Sequence, residues 1–166
     1  MEFNWLAIIV AAFVPTVLGF IWYNPKVFGT AWMKAAGMTD EKIKGGNMPL
    51  IFGLSLLFSV MLAMSMNMIT IHQSAIYSVL MNEPGFGDPA SDTGKFIADF
   101  MSKYGHNFRT FGHGAFHGIL AGIFIILPVL ATNAMFERKG FKYILLNAGY
   151  WAVCLAIMGG IICGWM

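Results

Sequence analysis

Charge is what this sequence has least of. Lysine, arginine, aspartate and glutamate make up 11% of its 166 residues, against roughly a quarter in a soluble globular chain, too few to cover an ordinary water-facing surface. The ten basic residues are dispersed and the net charge is only +2, which leaves no basic groove and excludes nucleic acid as a partner. Cysteine is nearly absent too. Cys154 and Cys163 stand nine positions apart on one helical stretch, roughly 180° around it at about 100° per residue. They cannot bridge each other, and there is no disulfide framework or Cys-x-x-Cys motif. They read instead as small apolar residues in a helix. The start, Met1-Glu2-Phe3-Asn4-Trp5, has neither a basic leader nor a small-residue cleavage site, so the first apolar segment is expected to stay as an anchor. Also missing are Gly-x-Ser-x-Gly, a phosphate-binding glycine loop and paired carboxylates within an apolar segment. No catalytic residue is therefore assigned, and the chain is not read as an enzyme.

What is there is apolar: 58% of the residues are hydrophobic, gathered into four segments without a single Asp, Glu, Lys or Arg. They run over about 5–23, 49–71, 111–132 and 143–165, each close to the roughly 20 residues needed to cross a hydrocarbon core of about 30 Å. Residues 1–166 are accordingly one integral membrane domain, with the lipid bilayer as its first partner. Pro15 removes a donor near the middle of the first span and Pro128 bends the far end of the third. Trp22 and Tyr23 sit as interfacial aromatics, and Asn24-Pro25 stops the helix. After it, Phe28, Trp32 and Ala36 fall at helical spacing, Lys26 and Lys34 can snorkel, and Gly37 is a C-terminal stop. Together they predict a short interfacial helix. Thr39-Asp40-Glu41 caps one more helical turn that ends at Gly45-Gly46.

Between spans two and three lies a largely helical insertion, 72–110. No breaker follows Thr70 until Glu83-Pro84, so the second helix is expected to project through Ile71, Ala75, Ile76, Val79 and Leu80. Pro84 to Pro89 is rich in turn residues. Thr93 to Tyr104 regains an amphipathic helical pattern, to be capped by Asp92 or Thr93 and ended by Gly105. The fold class is all-α: four transmembrane helices, an interfacial helix after the first, and the insertion. Lys26, Lys34, Lys42 and Lys44 follow span one, and Arg138, Lys139 and Lys142 follow span three. The insertion has only Lys95, Lys103 and Arg109. Basic excess marks the cytoplasmic side, which puts the insertion and both termini on the extracytoplasmic face.

Asn4-Trp5, Gly19, Trp22-Tyr23-Asn24-Pro25, Phe28-Gly29, Trp32 and Gly37, with Phe136-Glu137 and Asn147-Ala148-Gly149-Tyr150, resemble the domain-of-unknown-function family 1761. The resemblance implies a small bacterial inner-membrane protein of four helices. It implies no activity and no functional residues.

The stretch Gly112 to Gly122 gathers the features that bear on function. Gly114, Gly118 and Gly122 form a ridge that lets another helix come close; the ridge Ala7, Ala11, Pro15 and Gly19 of span one is a plausible partner, and Gly160 and Gly164 add a further close-packing pair in span four. Beside the ridge, His113 and His117 stand one turn apart, a spacing that can ligate one metal ion. His72, at the exit of span two, and His106, before span three, are expected on the same outer side, Asn67 and Thr70 add polarity at about the depth of His117, and Glu83, Asp88, Asp92 or Asp99 can hang over the mouth. No cofactor is predicted and no metal site is assigned; if an ion binds, those four histidines are where it binds. Met61, Met64 and Met68 share a face, read as adaptable apolar filler rather than a copper(I) ladder. Arg109, ahead of span three, is expected to meet an anion, either a lipid phosphate or an insertion carboxylate such as Asp99. The leading expectation is a structural or accessory membrane component that forms a homo-oligomer or docks on a larger membrane complex. The rival is a small transporter, channel or metal- or ligand-binding protein that uses the histidines.

Overall fold

A computed structural model describes residues 4–166; Met1 to Phe3, where the reading of an uncleaved start begins, lie outside them. Among the described residues only helices occur as regular structure. Four of them are long and apolar enough to cross a membrane: Trp5–Trp22, Met48–Thr70, Phe111–Phe136 and Phe141–Gly164, spans one to four below.

Local chemistry explains most of their boundaries. The Asn4 side chain accepts from the Ala7 amide at 3.0 Å and starts α1, Trp5–Ala12. Two residues before Pro15 the helix is interrupted at Phe13, whose amide turns back to the Val10 carbonyl at 3.2 Å, and α2 follows over Val14–Trp22. The short helix α3, Gly29–Ala36, stops at Gly37 with φ 70°. Thr39 caps α4, Asp40–Lys44. Asn47 caps span two, which is α5, Met48–Thr70. Span three is α8, Phe111–Ala121, then a π-helical segment Gly122–Ile126, then α9, Leu127–Phe136. The wide turn lies just ahead of Pro128, where the missing N–H and the ring would otherwise break the ladder. The span runs four residues beyond the expected Thr132 because no breaker intervenes before Arg138. That residue takes φ 57° and lets the Lys139 amide close on the Ala134 carbonyl at 2.8 Å. Span four is α10, Phe141–Gly164.

The insertion departs from expectation at its root. The second helix does not project: it ends at Thr70, Ile71 is extended (φ −103°, ψ 94°), and only the short α6, Ser74–Val79, resumes. The break comes from outside the helix. Ile71 is buried, and the buried Gln73 amide donates to the carbonyls of Tyr104 at 2.9 Å and Asn107 at 2.7 Å. A straight helix offers no such pair of bonds. The later helix α7, Asp92–Tyr104, is capped by Ser91, which accepts from the Gly94 amide at 2.9 Å. Neither Asp92 nor Thr93 is the cap; the Thr93 hydroxyl donates to the Pro84 carbonyl instead.

Span four is the centre of the bundle and packs against all three others. That is why Cys154 and Cys163 are both buried although they lie on opposite sides of one helix. The glycine ridge faces it, not span one. A methyl group added at Gly114 would fall on the Gly159 carbonyl, one at Gly118 on the Leu155 carbonyl, and one at Gly122 within 2.7 Å of Ala152 Cα. Span one's small residues are taken up elsewhere. Ala7 and Ala11 are buried in the core with Ala63, Met66 and Met158, the Pro15 carbonyl accepts from the Tyr150 hydroxyl at 2.6 Å, and Gly19 faces that same hydroxyl. Gly160 and Gly164 receive Phe111, its ring and its backbone respectively.

Large apolar side chains point outward along all four spans. Phe124 is 72% exposed and Phe136 87%, a surface that water would penalise by roughly 25 cal/mol per Å² and that lipid does not. Met61, Met64 and Met68 belong to it, whereas Met66 is in the core. At one end of the bundle Arg109 and Asn4 both reach the Trp165 carbonyl, so both ends of the described chain meet the insertion there. At the other, the Lys139 ammonium donates to the Ala36 carbonyl at 2.6 Å and ties the two basic loops together.

Candidate functional site

Three of the four histidines converge where the insertion leaves and rejoins the bundle. His72 sits in the break after span two, held by the extended Ile71 on one side and the Gln73 clamp on the other. His113 and His117 sit in the first turns of α8, whose start is capped by Thr110 accepting from the His113 amide at 3.2 Å. The ring nitrogens of His72 and His113 are 2.9 Å apart, both Nε2. Ring centroids are 4.5 Å apart for His113 and His117, and 4.9 Å for His72 and His117. One ligand nitrogen from each of the three lies within 4.8 Å of the others.

That spacing is close to what a metal ion asks for. An ion with nitrogens at about 2.0–2.1 Å in tetrahedral geometry holds them about 3.3 Å apart, so the required adjustment is a rotation of side chains. It costs little at His72, which is exposed. The other two ride on a rigid support, because Gly114 and Gly118, each the residue after a histidine, are pressed onto the backbone of span four. Imidazole is a good ligand for zinc, nickel, cobalt and copper(II). For both Nε2 atoms of His72 and His113 to ligate, the ring that now donates has to carry its proton on Nδ1.

A loop in unusual backbone geometry borders the cluster. Phe108 has φ 61°, a left-handed conformation that costs a bulky residue about 1–2 kcal/mol. Its carbonyl accepts from the Thr110 amide at 2.9 Å and from the Cys163 thiol at 3.3 Å. The ring lies 5.2 Å from that of His113 and 6.4 Å from that of His72. Phe116 closes the side of His117 at 5.8 Å.

The remaining sequence candidates are placed elsewhere. His106 does not join the cluster; it follows α7, and its Nδ1 lies 3.2 Å from Met166 Sδ. Among the described residues Arg109 pairs with no carboxylate, Asp99 included. Its Nε donates to the Cys163 carbonyl at 2.8 Å and its Nη2 to the Trp165 carbonyl at 3.2 Å, so it caps the C-terminal end of span four, where the helix dipole favours a cation. Asp99 pairs with Lys103 at 2.8 Å, and Asp88 accepts from the Ala90 amide. Thr70 donates back to the Met66 carbonyl, and the buried Asn67 Oδ1 has no partner among the described residues. None of the four acidic residues joins the three histidines.

The opposite end carries most of the residues that mark the family resemblance, Asn4-Trp5 excepted, and two pairs there meet across 124 positions. The Trp22 indole donates to the Leu146 carbonyl at 3.2 Å, and the Tyr23 hydroxyl to Asn147 Oδ1 at 3.1 Å. Tyr23 also packs on Tyr150 and on the edge of Trp32. Burial pushes the Tyr23 hydroxyl well above the ordinary phenol range, so it remains a neutral donor. This cluster fixes span one on span four. Its sequence signal was the density of aromatic and amide side chains, which the resemblance registered without a role.

The family described as "Protein of unknown function (DUF1761)" matches residues 6–163. No curated protein and no solved structure matches the chain.

Proposed function

We propose, since the chain belongs to the DUF1761 family and that membership carries no activity, that it is a multi-pass membrane protein which binds a divalent transition-metal ion between His72, His113 and His117. One observation carries this: three imidazoles, two from α8 and one from 41 positions away, offer nitrogens within 4.8 Å of one another. The proposal includes a bacterial inner membrane, with the insertion end outward and α3 at the headgroups of the cytoplasmic face. The distribution of lysine and arginine supports that orientation.

The structural or accessory role, in which the protein self-associates or docks on a larger complex, drew its motive from the extended outer insertion, the absence of charge from the four spans, and the small-residue faces. Those faces are filled within the chain, by span four and by Phe111. Span four also fills the middle of the bundle, so a channel through a single chain finds no support.

Metal analysis of protein purified without chelator, followed by calorimetric titration of the stripped protein with zinc, tests the proposal. About one ion per chain is expected, with His113→Ala/His117→Ala abolishing binding and acidification to about pH 5 releasing the ion as imidazoles protonate. Absence of metal, together with titrations that do not distinguish the double variant from the parent, would sink the proposal.

A further inference from the structure

We infer, on the basis of the metal site just proposed, that the centre is a receptor for a small coordinating anion: the ion keeps a position that an exogenous halide, pseudohalide or carboxylate fills. Three protein ligands and one free position is the arrangement of exchangeable rather than closed structural sites.

The charge balance of the site calls for an anion. Three imidazoles ligate as neutral groups, so a divalent ion keeps its full +2. Among the described residues no thiolate or carboxylate joins the cluster. Asp99 is held by Lys103 and Asp88 by its own turn. The fourth histidine, His106, is held against Met166. The surroundings sharpen this demand, because the Phe108 and Phe116 rings flank the histidines and His113 and His117 stand within the first turns of span three. Where the local dielectric is low, an unbalanced charge attracts a counter-charge more strongly than it does in water. Access is open, since His72 is exposed. The protein also has little means of supplying a fourth ligand from α8 itself, because Gly114 and Gly118 lock that helix onto span four.

Cobalt(II) is the probe, because its visible absorption reports coordination number and ligand type. Stripped full-length protein in detergent is loaded with cobalt and titrated with azide, then with acetate. Azide is expected to shift and intensify the visible bands with saturation, and acetate to do so more weakly. The non-coordinating anion perchlorate is expected to leave them unmoved. Cobalt bound one per chain with bands that no azide concentration moves would overturn the inference while leaving the metal site intact. So would a perchlorate response equal to that of azide, which would mark an effect of ionic strength. Failure to bind cobalt at all would instead remove the metal site, a separate result.

Discussion

Gly118→Ala is the substitution whose outcome the structure fixes most tightly. A methyl group there lands on the Leu155 carbonyl and stands 2.7 Å from Ala156 Cα, 0.7 Å short of the 3.4 Å at which ordinary contact begins. The obstacle is backbone on both counts, so no rotamer change can relieve it, and spans three and four have to separate. Opening a packed interface by about 0.5–1 Å forfeits roughly a quarter to a half of each facing atom pair's dispersion energy. The seam runs over Gly114, Gly118 and Gly122, so the loss spreads along about two turns. Overpacking of this kind costs about 1–3 kcal/mol, against which alanine's better helix propensity returns about 1 kcal/mol at most. A net loss of up to about 2 kcal/mol is expected. The assay is reversible unfolding in mild detergent, followed by tryptophan fluorescence. Gly53→Ala serves as the internal control, because a methyl group there meets nothing within 4 Å, and it is expected to be neutral or stabilising by up to about 1 kcal/mol. If Gly118→Ala proved as stable as Gly53→Ala, the seam would not be the close contact described and the reasoning would fail. Zinc affinity adds a second readout: since His117 precedes Gly118, moving the helix also moves a ligand, and weaker binding is expected in Gly118→Ala but not in Gly53→Ala.

Tyr150→Phe removes the buried donor to the Pro15 carbonyl and is expected to cost about 1–2 kcal/mol in the same unfolding assay; no change would mean that the carbonyl finds another donor. Gln73→Ala leaves the carbonyls of Tyr104 and Asn107 without their donor, so amide exchange in 74–107 should accelerate while the four spans keep their protection. Uniform acceleration would argue against a local clamp. Arg138→Gly relieves the left-handed strain at φ 57° and should stabilise the chain by about 1 kcal/mol; a fall in the unfolding midpoint would show that the arginine side chain contributes more than its backbone costs.

The sequence by itself determined the membrane class, the four spans to within a few residues, the stops at Asn24-Pro25 and Gly37, the turn at Pro84–Pro89, and the spacing that sets His113 beside His117. These are local quantities. Partition into lipid depends on the composition of about 20 consecutive residues, and caps, prolines and left-handed stops act within one turn. Only the tertiary structure decided that the glycine ridge meets span four rather than span one, that Cys154 and Cys163 are both interior, and that Arg109 caps span four. It also decided the break after Thr70, since the two carbonyls that hold Gln73 come from residues more than 30 positions away. The same holds for the site: nothing in spacing distinguished His72 from His106. The choice between them came from where the Gln73 clamp turns the chain and from which side of the insertion the Phe108 loop closes, and both depend on contacts that no periodicity encodes.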